Sequence, residues 1–165
     1  MSAFVPQTFV STNPLDRVER LAEIREWNIA RTNDDEVVMA IDGNTADLNL
    51  SITWRGDIEA LLLAGLMDVK VPQKRRKEVS RLIALINARL ICGHFDLWLH
   101  DGSIVFRNML LLAGAEASDG QCEAIVRIGI ETCNRYYPAI QFVIWAGYSA
   151  EQALECALLE TMGEA

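Results

Sequence analysis

The side chains best suited to chemistry fall in one short stretch, Cys92-Gly-His94-Phe-Asp96-Leu-Trp98-Leu-His100. Thiol, imidazole and carboxylate groups hold transition metals or exchange protons near neutral pH. On a strand the even positions share a face, which lines up Cys92, His94, Asp96 and His100. Alternate strand positions lie about 7 Å apart, so only neighbouring pairs could chelate one ion. The same face is the expected wet side of a hairpin. A small metal-dependent sensor or enzyme using His94, Asp96 and His100 is therefore the alternative reading, and a solvated hairpin face the plainer one.

No other constellation competes for catalysis. Asp34-Asp35-Glu36 is a run of adjacent acids between strands, the ordinary chemistry of a solvated turn. GxSxG, HExxH, Walker, GxGxxG and EF-hand patterns are all missing. The sequence thus names no catalytic residue, no metal site and no cofactor. The least ordinary segment is aromatic, Tyr136-Tyr137-Pro138-Ala-Ile-Gln141-Phe142-Val-Ile-Trp145-Ala-Gly147. Tyr and Trp pack an apolar body and keep a polar tip, which suits a helix corner on a sheet or an interface.

These groups must be positioned by a core that needs no staples. Half of the 165 residues (51%) are hydrophobic, enough for one domain to bury most of its unfolded surface. Fifteen basic against twenty-three acidic side chains give a net charge of −8, which opposes nucleic-acid and anionic-membrane binding. Lys70 to Arg89 carries seven basic residues against Glu78 alone, and Glu116 to Ala165 carries eight acids against two arginines. These runs read as solvated helix surfaces that complement each other within the fold or across a dimer, or else as docking faces. Nucleic-acid binding through Lys74 to Lys77 ranks last because of the overall charge. Cys92, Cys122, Cys133 and Cys156 form no CxxC pair and sit among apolar neighbours, as reduced cytosolic thiols do. No signal peptide and no apolar run of about 20 residues is visible, so a cytoplasmic location is expected.

Residues 1–13 lack a period and are expected to form a flexible arm ahead of a single domain over 14–165. Asn13, Pro14 and Asp16 open a helix expected to run to about Trp27, with Leu15, Val18, Leu21, Ala22 and Ile24 as its apolar stripe. The period then changes to two. Val37, Met39 and Ile41 alternate with polar or small residues up to a turn at Asp42-Gly43-Asn44. Ala46, Leu48, Leu50, Ile52 and Trp54 alternate with Thr45, Asp47, Asn49, Ser51 and Thr53, and Arg55-Gly56-Asp57 turns the chain. The strand Ile58–Met67 is apolar on both faces, so it is central or covered by a partner. A long helix is expected from Val71-Pro72 to about Ile91; its first turn carries Lys74, Arg75, Arg76 and Lys77, the wrong sign for the helix dipole. A hairpin turning at Asp101-Gly102 follows, with Phe95, Leu97 and Leu99 on one face. Two capping boxes, Ser118/Gln121 and Ser149/Gln152, open C-terminal helices; Pro138 is expected to interrupt between them and Gly147 to stop the middle one.

Several long words of this sequence resemble the YbjN family, a bacterial group labelled as sensory-transduction regulators. They are RLIALINARL (81–90) leading into GHFDL (93–97), DGSIVFRNMLLLAG (101–114), NRYYPAIQFVIWAGYSAEQAL (134–154) and LLETMGEA (158–165). The resemblance implies a fold similar to type III secretion chaperones, often homodimeric, without enzymatic activity and with no catalytic residues to carry over. The expectation is an α+β fold: an antiparallel sheet of about five strands, a meander plus a hairpin, packed by a long helix, with an N-terminal helix and C-terminal helices. The function expected is a non-catalytic, chaperone-like protein-binding or regulatory module. It is expected as a homodimer with a protein or peptide partner, and without nucleic acid or membrane. Leu61, Leu63, Lys74, Arg75, Arg76, Tyr136, Tyr137 and Trp145 are the residues named for a partner or dimer surface.

Overall fold

In the computed structural model, residues 13–42 and 47–163 are described. The arm expected over 1–13, apart from Asn13, and most of the turn Asp42-Gly43-Asn44 lie outside them. Helix α1 spans Pro14–Ile24, with Asn13 as its N-cap accepting from the Leu15 N–H at 3.0 Å. It ends before Trp27 because Glu26 adopts a left-handed φ of 56°, which leaves Ile24 exposed rather than in the stripe.

Among the described residues six strands follow rather than five: β1 (Asn28–Asn33), β2 (Glu36–Ile41), β3 (Leu48–Arg55), β4 (Ala60–Lys70), β5 (His94–Leu97) and β6 (Ser103–Leu111). Their order is β1-β2-β3-β4-β6-β5, and every neighbouring pair is antiparallel. The unexpected strand is β1, an edge strand. Only Ile29 of its six residues is even half-buried, so it imposes no hydrophobic alternation that a sequence could display. β4 begins at Ala60, two residues later than expected, because Arg55 to Glu59 make the turn and leave Ile58 exposed. It is central, held between β3 and β6.

All the helices that pack the sheet use one face. α1 lies on β2 and β3, and α3 (Asp119–Gln141) lies on β4 and β6. α2 (Arg76–Asn87) braces β5, and α4 (Ala150–Gly163) packs on α2 and α3. The core between these layers takes Val37, Met39, Leu50, Ile52, Leu61, Leu63 and Phe106 from the sheet, and Leu82, Ile86, Val126 and Ile140 from the helices. The helix expected to reach Ile91 ends at Asn87, where the side chain turns to β5: its amide donates to the Phe95 carbonyl at 3.0 Å and accepts from the Phe95 N–H at 2.8 Å.

Pro138 does not interrupt its helix. It sits inside α3, which runs on to Gln141 before a widened π turn over Phe142–Ala146 that Gly147 closes at φ 73°. A mid-helix proline costs about 3 kcal/mol. Burial of Tyr137, Ala139, Ile140 and Val143 around it offsets that penalty, at roughly 1.5–3 kcal/mol for each large apolar side chain. Both capping boxes form, with the Gln121 N–H reaching Ser118 Oγ at 3.2 Å and the Gln152 N–H reaching Ser149 Oγ at 3.3 Å. Among the described residues no helix is long and apolar enough to cross a membrane.

Candidate functional site

The face of the sheet away from the helices is open, and it is apolar at its centre. Antiparallel register stacks its side chains in rows across the strands. One row runs Glu36, Thr53, Leu62, Met109, and the next runs Val38, Ser51, Ala64, Arg107, His94. A third runs Ala40, Asn49, Leu66, Val105, Asp96. Leu66, Met109 and Leu111 are 41%, 53% and 57% exposed, well beyond what a solvated face requires.

The middle row is the shallow one, because Ala64 and Ser51 are small between larger neighbours. The result is a depression of about 560 Å³, floored by Leu62, Ala64 and Met109 and rimmed by Ser51, Thr53, His94 and Arg107. A separate hollow of about 300 Å³ lies at the end of β4, lined by Asn49, Leu66, Met67, Val69, Lys70 and Trp145. Gly93 sets the entry of β5 into this face. Its φ of +72° and a ring carbon of Phe106 only 2.4 Å from where a Cβ would stand leave room for glycine alone.

The hairpin set named for metal is not assembled. His94 Nε2 and Arg107 Nη1 approach Asp96 Oδ2 at 3.5 and 3.4 Å, so these three share the outer face. His100 lies elsewhere, because β5 ends at Leu97 and residues 98–101 turn the chain. It stacks on Trp98 and approaches Asp101 Oδ1 at 3.6 Å. Leu99 is likewise 66% exposed rather than on the Phe95 face. Among the described residues no cluster of three or more metal-ligating side chains occurs. Asp101 is itself engaged: the Lys70 ammonium, then the Ser103 hydroxyl, hold its carboxyl well below the usual carboxylate range.

Of the eight residues named for a partner surface, four are buried and four are not. Leu61 and Leu63 are fully buried on the inner face of β4; the residues that face outward are their neighbours Leu62, Ala64 and Leu66. Tyr136 is buried edge-on against Phe95 at 6.2 Å, and Tyr137 is buried with its hydroxyl pushed up in pKa by that burial. Arg75 donates from Nε to the Val143 carbonyl at 2.8 Å and from Nη2 to the Tyr148 carbonyl at 3.1 Å. Arg76 donates to the carbonyls of Val71 and Leu99. Two of the four charges that oppose the α2 dipole therefore serve the π turn and the β-hairpin of the same chain. Lys74 and Trp145 remain exposed. The complementarity of the basic and acidic runs is partly internal, since Arg81 pairs with Glu151 at 2.5 Å and Glu78 accepts the Ala150 N–H at 2.6 Å.

Leu62, Leu66, Arg107 and Met109 were not singled out from the sequence, although a signal for two of them was present. The wet positions Ser51 and Thr53 were legible, and antiparallel pairing places them opposite Ala64 and Leu62. The outward parity of β4 follows from that register.

The family model for YbjN, described as "Putative bacterial sensory transduction regulator", matches residues 14–142. Among solved structures, one described as "Crystal structure of YbjN, a putative transcription regulator from E. coli" superposes with a TM-score of 0.54 at 12% identity, over 73% of this chain and 85% of that one. At that identity the likeness is one of fold. Among the curated proteins none matches the chain. With the helix-backed antiparallel sheet shared and the family model covering most of its length, this chain belongs to the YbjN family.

Proposed function

We propose that this chain is a non-catalytic, chaperone-like regulatory module of the cytoplasm that docks a protein segment on the outer face of its sheet. The observation that carries the reading is the exposure of Leu66, Met109 and Leu111 on a central sheet face that no helix of the described residues covers. Contiguous exposed apolar surface with a polar rim is the usual mark of a docking face. The family's description as a regulator agrees with a module that acts by binding. Association of two copies, expected from the sequence, cannot use Leu61 and Leu63, which are core residues; the outer face is one apolar surface free to serve it.

The test is site-specific photo-crosslinking in cells, with a benzophenone side chain at Met109 and, as control, at Glu131 on the solvent side of α3. Adducts to another polypeptide, or to a second copy, from position 109 and none from 131 support docking. No adduct from either position refutes it.

A further inference from the structure

We infer that the outer face is built for an extended segment of pattern apolar-x-acidic-x-apolar, whose carboxylate meets Arg107 and His94. This inference rests on the docking reading and specifies the partner's chemistry. The three rows across β4 and β6 alternate in character: Leu62 with Met109, then Ala64 with Arg107, then exposed Leu66 beside Val105, which is itself buried. Successive rows are two residues apart on each strand, about 7 Å, and alternate side chains of an extended peptide repeat at the same spacing. A peptide lying along β4 therefore sets three alternate side chains over three rows. The outer two meet leucines. The middle one enters the depression that small Ala64 and Ser51 leave open, where the Arg107 guanidinium and the His94 imidazole are the hydrogen-bonding groups best placed for a carboxylate.

Arg107 is prepared for such a group. Arg17, Arg55, Arg75 and Arg81 each hold one oxygen at 2.8–2.9 Å, whereas Arg127 holds Glu131 at 3.2 Å. Arg107 reaches Asp96 only at 3.4 Å and through one nitrogen, and its side chain is 55% exposed. A guanidinium offers five donors, enough for a bidentate carboxylate besides Asp96. Asp96 lies one row on and out on β5, where it approaches both Arg107 and His94 and is absent from the lining of the depression.

The experiment is titration calorimetry of the full chain with the acetylated, amidated heptapeptide TLTETLT and with TLTQTLT. The glutamate peptide is expected to bind about tenfold more tightly, the usual worth of one charge-assisted contact. Arg107→Gln should remove that discrimination by weakening the glutamate peptide alone, with its thermal melt unchanged as the control for folding. Leu66→Asp should weaken both peptides. Equal affinity of the two peptides for the wild-type chain, or no saturable binding of the glutamate peptide, overturns the inference. If position 109 still crosslinks in cells in that event, the docking reading stands and only the acidic pattern falls; absence of both removes the two together.

Discussion

Gly129 of α3 lies directly over Leu63 of β4: a Cβ at position 129 would stand 3.0 Å from Leu63 Cδ2. This contact sets how closely the long helix approaches the central strand. A methyl is tolerated if the leucine end shifts slightly, and alanine gains up to about 1 kcal/mol of helix propensity over glycine. Gly129→Ala is therefore expected to be near neutral. Gly129→Leu has no space and should lose about 1–3 kcal/mol, measured by urea denaturation.

The two faces of β4 make opposite predictions for the same chemical change. Leu63→Ala opens a cavity in the core and should cost about 2–5 kcal/mol. Leu66→Ala, on the outer face, should stay within about 0.5 kcal/mol. Equal losses at the two sites in thermal melts would mean that the outer face is covered in solution.

Arg75 ties the start of α2 to the π turn through two carbonyls. Arg75→Ala should destabilise the chain by about 1–2 kcal/mol, as hydrogen bonds from charged donors are lost. Arg75→Lys, which cannot present two nitrogens in one plane, should recover only part of the loss. Lys74→Ala is the control, since that exposed side chain should leave the melting temperature unchanged.

Burial pushes the Cys133 thiol up from an ordinary value near 9 to about 12. A raised value in the folded state favours the neutral form there, so its contribution to stability is complete below pH 9 and is lost as pH rises towards 12. Alkaline denaturation of Cys133→Ala should accordingly show a shallower fall between those limits than the unaltered chain. In the folded protein, iodoacetamide should modify exposed Cys92 and spare Cys133 at pH about 8, which peptide mass spectrometry resolves.

Local patterning carried far into this fold. The alternation of Val37 and Met39, and of Leu48, Leu50 and Ile52, is the alternation found between core and solvent. The helix caps at Asn13, Ser118 and Ser149 were readable for the same reason: each depends on side chains within three residues of the backbone they satisfy. The family was legible too, in words such as NRYYPAIQFVIWAG.

What lay beyond the sequence was decided by partners far apart in the chain. Edge strand β1 buries almost nothing and owes its pairing to β2, so its own residues carry no period. Pro138 stays helical because distant core positions receive its neighbours. The cluster at Lys74 to Lys77 looked like a surface for a partner, and two of its arginines instead answer carbonyls about 70 and 23 residues away. Which leucines of an apolar strand face outward is likewise a matter of register: shifting parity by one residue exchanges Leu61 and Leu63 for Leu62 and Ala64. Composition shows that such a strand is apolar on both sides. The wet partners Ser51 and Thr53 hint at the outward side, and the packing of α3 on the other side leaves it open.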